Sequence, residues 1–162
     1  MRKIIIALVV VMLGLVIFSL KFFQQHQFKV APLPENSSLS IAWSKSFGMC
    51  GGYCFSTIRV DQAKTSISRT SLRNDKNYPP VYKEYPTNQK FWKKLMSLVD
   101  AEKIKNIPNR TGCPDCADGG AEAVTVTING AAKNIEYEYG FPPLDISEIA
   151  KEMKTEFELF SE

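Results

Sequence analysis

All four cysteines of the chain fall in two short loops, FGMCGGYC at 47–54 and TGCPDCADGG at 111–120. This pairing constrains the fold more than any other feature. Within each loop the cysteines are near enough for one turn to bring their sulfurs within bonding reach. Each loop also stands directly before a segment that alternates in the two-residue rhythm of a strand. The chain must therefore present two tight turns at strand starts. Around Cys50 and Cys54, Gly48, Gly51 and Gly52 allow backbone angles that other residues resist; around Cys113 and Cys116, Pro114, Asp118, Gly119 and Gly120 favour a closed turn.

Location bears on what those sulfurs can do. Residues 4–20, IIIALVVVMLGLVIFSL, carry no charge, and Phe22 and Phe23 extend the run past Lys21. That length reaches the lower end of the roughly 17 to 25 residues a membrane-spanning helix needs and exceeds the core of a signal peptide. The bulky, polar flank SLKFFQQHQF lacks a small-x-small cleavage pattern, so residues 1–23 read as an uncleaved transmembrane signal anchor. Arg2 and Lys3 precede the run, which places the N-terminus inside and the bulk of the chain outside the cytoplasm. Residues 24–38, with two prolines and no period, read as a stalk, and 39–162 as one extracytoplasmic domain. The net charge of +3 arises in the N-terminal part, where Arg2, Lys3, Lys21 and Lys29 lie. Nucleic acid has no support as a partner.

Three chemistries remain open for the four cysteines. An oxidising compartment and an even count favour disulfides, and the spacing favours local closure of each pair. Alternatively, Cys50, Cys54, Cys113 and Cys116 surround one zinc ion, because a Cys-Pro-x-Cys turn resembles a zinc knuckle. The third reading is thiol-disulfide exchange at Cys113 and Cys116. Exchange needs a lowered thiol pKa, usually from a helix N-terminus or a neighbouring base. Here the neighbours are Asp115 and Asp118, a strand follows, and the only histidine, His26, lies in the stalk. Histidine-dependent catalysis is thereby excluded from the domain, and no catalytic residue is assigned.

The domain reads in order as strand, hairpin, helix, hairpin, helix. Residues 39–44 form a first strand with Leu39, Ile41 and Trp43 on one face, and 54–60 pair with 65–70 as a hairpin. Residues 71–86 read as irregular or edge-strand structure. Thr87 or Asn88 caps a helix to about residue 100, with a stripe of Phe91, Leu95, Leu98 and Val99 and with Trp92 and Met96 at its margin. Asn129-Gly130 is a strong hairpin signal that places Val124 opposite Ile135 and keeps Tyr137 and Tyr139 on the same face. Asp145, with Glu148 three residues on, caps a final helix whose stripe is Ile146, Ile149, Met153, Phe157 and Phe160. The expected fold is α+β: an N-terminal transmembrane helix, then a two-layer domain with an antiparallel sheet and two helices on one face.

The runs FGMCGGYCFSTIRV, FWKKLMSLVD and CPDCADGGAEAVTVTING together resemble a family of small bacterial envelope domains, over roughly residues 40–160. That family shares a Cys-x3-Cys pair before a hairpin and, in some members, a Cys-Pro-x-Cys-x-Asp-Gly-Gly loop. Where its pattern often has proline and tyrosine, this chain has Phe55 and Ser56. The resemblance implies a bacterial, exported, non-enzymatic protein and no particular activity. The expectation is a membrane-anchored domain that binds an envelope protein or ligand without a cofactor, its cysteine loops held by disulfides. Exchange chemistry or zinc binding are the alternatives.

Overall fold

The computed structural model describes residues 38–73 and 75–160. The apolar run of residues 4–20 and nearly all of the expected stalk lie outside them. Among the described residues no helix is long and apolar enough to cross a membrane. Seven strands form one sheet: β1 (Leu39–Ser46), β2 (Tyr53–Asp61), β3 (Lys64–Ser71), β4 (Val81–Pro86), β5 (Arg110–Thr111), β6 (Ala121–Ile128) and β7 (Ala131–Glu138), in the spatial order β4-β3-β2-β1-β6-β7-β5. Among the described residues three α-helices, α1 (Gln89–Leu98), α2 (Ala101–Asn106) and α3 (Ser147–Phe160), join the sheet in an α+β architecture.

Alternation explains the register. Ile41 stands between Val60 of β2 and Val126 of β6, and Trp43 stands between Ile58 and Val124. Val124 in turn faces Ile135, as the Asn129-Gly130 turn requires. Both turn residues adopt positive φ, +51° and +81°, the geometry of a two-residue hairpin that follows the right-handed strand twist. These inward residues join Leu39, Ile67 and Tyr137 and the buried side chains of the helices in one hydrophobic cluster. The opposite face of the central strands carries small or hydroxylated side chains such as Ser40, Ala42, Ser44, Thr57, Ser68 and Thr125. Residues 81–86 form an edge strand paired only with β3, within the expected reading.

Four local expectations need correction. The sheet is mixed rather than antiparallel, because Arg110–Thr111 runs parallel to β7. A two-residue strand has no periodicity to reveal it. The helix after Asn88 stops at Leu98, and Asp100 caps a second one: its carboxylate accepts from the Lys103 N–H, at 3.1 Å. An aspartate that bonds forward to the backbone competes with continuing the first helix. Trp92, expected at the margin of the apolar stripe of α1, is buried with Leu95, whereas Phe91 and Leu98 of the expected stripe are only half-buried. Asp145 does not cap α3; it lies in a 3-10 turn, Leu144–Ile146, that follows Pro143 and delivers Ile146 to the core.

Candidate functional site

Both cysteine loops leave the sheet at the same end. Ser46, the last residue of β1, pairs with Phe55 near the start of β2 and with Ala121 at the start of β6. The loop before β2 and the loop before β6 are therefore neighbours. This is the end of β1 farther from Leu39, where the chain enters the domain. The sulfurs are joined locally: Cys50 to Cys54 with Cα atoms 5.7 Å apart, and Cys113 to Cys116 with Cα atoms 5.4 Å apart.

The two bridges differ in environment. Cys54 is wholly buried and Cys50 half-buried, whereas Cys113 and Cys116 are both exposed. The first loop is closed by the Phe47 N–H donating to the Cys54 carbonyl at 3.0 Å. Gly52, at φ +115°, passes close to the ring of Tyr78. That ring meets Tyr53 edge-on, and Tyr53 in turn stacks under Arg69 and donates its hydroxyl to the Pro79 carbonyl.

The second loop is wound tightly. Asp115, Ala117 and Asp118 have φ of +60°, +52° and +58°, left-handed values that a side-chain-bearing residue adopts at an energetic cost. Backbone bonds hold this shape: Asp115 N–H to Gly120 O, Cys116 N–H to Cys113 O and Gly119 N–H to Cys116 O, at 2.9 to 3.1 Å. Pro114 is buried, and its carbonyl accepts from Arg110 Nη2 at 3.1 Å. One contact ties the loops together: the Gly48 N–H donates to Asp115 Oδ1 at 3.3 Å. The second contact is steric, with Gly120 seated against the Phe47 ring.

The sulfurs are consumed pairwise, so they do not converge into the four-thiolate shell that zinc would need. Among the described residues no group of three or more His, Cys, Asp or Glu is arranged to hold a metal ion. Exchange chemistry at Cys113 and Cys116 has exposure in its favour. Against it, the residues after Cys116 form only a three-residue 3-10 turn with left-handed angles inside, not a helix whose N-terminus would stabilise a thiolate.

Two features escaped the sequence. Beside the first cysteine loop lies a groove of about 480 Å³, lined by residues 48–52 on one side and by Ser71, Leu72, Arg73 and Asp75 on the other. Met49 and Leu72 present exposed apolar side chains there. Segments twenty residues apart build this groove, so no local pattern announces it. The other feature is a set of buried polar groups on the inner face. Trp43 Nε1, Tyr137 Oη and Glu122 Oε1 are enclosed without a hydrogen-bond partner, and Lys154 Nζ stands 3.9 Å from Glu122. A signal for Glu122 was present: the alternation that turns Val124 and Val126 inward turns Glu122 inward too.

Against known proteins, neither the family models nor the curated sequences offer a match to this chain.

Proposed function

We infer that the chain is a membrane-anchored, extracytoplasmic interaction domain of a bacterial envelope, which engages an envelope protein or ligand with the cysteine end of its sheet. In this reading residues 4–23 hold it in the membrane and residues 24–38 space the domain from it. The observation that carries the binding role is the groove between the Cys50–Cys54 loop and the residues following β3, with Met49 and Leu72 exposed at it. Exposed apolar side chains beside a braced concave surface are the usual mark of a contact site. A rigid loop also loses less conformational freedom on binding. The apolar run of residues 4–20 supports the anchor, and the resemblance to bacterial envelope domains agrees with both.

Photo-crosslinking in native membranes tests the binding role. A crosslinking amino acid at Met49 should yield a discrete adduct that the same residue at Leu159, exposed on α3, does not. Equal or absent labelling at the two positions would remove the groove as the contact surface. Retention of the full chain in the membrane fraction after alkaline carbonate washing tests the anchor, and release by the wash would refute it.

A further inference from the structure

We propose that the exposed Cys113–Cys116 bridge is a redox latch on the groove, opened by a dithiol, with Asp115 as the element that transmits its state. This rests on the groove being the binding surface. Asp115 sits between the two bridged cysteines, and its carboxylate holds the Gly48 N–H at 3.3 Å. Gly48 lines the groove. A Cβ at position 48 would lie 2.8 Å from Asp115 Oδ2, so a larger residue there would have to push that carboxylate aside. The position of the groove wall is thus coupled to the position of one carboxylate.

That carboxylate is held by a loop in an unfavourable conformation. Asp115, Ala117 and Asp118 all take positive φ, and such angles persist only where the surroundings impose them. The bridge is the covalent part of what imposes them. It is also the more accessible one: Cys113 and Cys116 are both exposed, while in the other bridge Cys50 is half-buried and Cys54 wholly enclosed. An exchanging thiolate needs a path to a sulfur, so a reductant reaches this bridge first.

The step is ordinary exchange. One thiolate of the dithiol bonds to Sγ of a bridged cysteine, and the S–S bond breaks, the departing cysteine sulfur leaving as a thiolate that takes up a proton. The second thiol of the reductant then displaces the cysteine held in the mixed disulfide. Two electrons have passed to the chain, which carries two thiols, and the reductant carries a disulfide. Freed of the bridge, residues 115–118 return towards right-handed or extended angles, the Asp115 carboxylate withdraws, and the Gly48 loop loses its tie.

The test treats the full chain, in mild detergent, with limiting dithiothreitol and follows it by alkylation mapping and hydrogen exchange. Cys113 and Cys116 should be alkylated before Cys50 and Cys54. Amide exchange in residues 47–53 should then rise by about tenfold, the scale of one lost hydrogen bond. Asp115→Ala should show the raised exchange while still oxidised and no further rise on reduction. The double variant Cys113→Ser, Cys116→Ser should show it without reductant. Simultaneous reduction of the two bridges, selective reduction with unaltered exchange at 47–53, or a full response in Asp115→Ala would each overturn the proposal. These readouts need no partner, so they fail or succeed independently of the crosslinking at Met49.

Discussion

Tyr137 and Glu122 bring an ionisable pair into the inner face of the sheet. Burial, reinforced by the nearby Glu122 carboxylate, pushes the Tyr137 phenol well above its ordinary value of 10.0. A raised folded-state pKa gives stability that is fully present below the unfolded value and is lost as pH rises towards the folded one. Stability should therefore fall above about pH 10, by up to about 1.4 kcal/mol per pH unit from this residue. Tyr137→Phe should flatten that loss in urea unfolding followed across alkaline pH. Near neutral pH the same variant should alter stability by about 1 kcal/mol or less, since the hydroxyl it removes makes no well-aligned hydrogen bond to its neighbours, the Trp43 indole and the Glu122 carboxylate. Gly120 makes the opposite kind of demand. At φ +84° and against the Phe47 ring, Gly120→Ala should cost about 1–3 kcal/mol, from left-handed strain plus overpacking.

Among the elements, α1 has the clearest local cause. Asn88 is extended, and its side chain accepts from the N–H groups of Lys90 and Phe91. Asn88→Ala should cost about 1 kcal/mol in thermal or urea unfolding, and Asn88→Asp should preserve the cap. The β6–β7 hairpin was equally legible, because Asn129-Gly130 and the alternation on either side require one another. By contrast only Val99 and the capping Asp100 separate the end of α1 from the start of α2, and an apolar period cannot show a break that short. β5 was illegible for a similar reason. Its two residues lie in the sheet because Arg110 and Thr111 pair with Glu136 and Tyr137, and partners of that kind are far away in sequence.

For the whole molecule, the two bridges should contribute unequally although their loops are of similar size. Loop closure alone predicts about 2 kcal/mol for each. Cys54, however, is buried at the base of its loop, so removing the Cys50–Cys54 pair by alanine also leaves a packing defect. That variant should lose clearly more than about 2 kcal/mol in urea unfolding, and the Cys113, Cys116 alanine pair about 2 kcal/mol or less. Equal losses would mean that burial of Cys54 adds nothing. The sequence by itself determined the α+β class, the main strands and their inward rows and the Val124–Ile135 register; for the cysteines it favoured local pairing without deciding it. All of these depend on residues a few positions apart, where periodicity and turn chemistry act. Only the tertiary structure decided that the two cysteine loops touch through Asp115 and Gly48, that one bridge is buried and the other exposed, and that a groove opens beside the first. Those depend on which strands become neighbours in the sheet, and sheet order comes from burying the whole apolar face at once, not from any one stretch of chain.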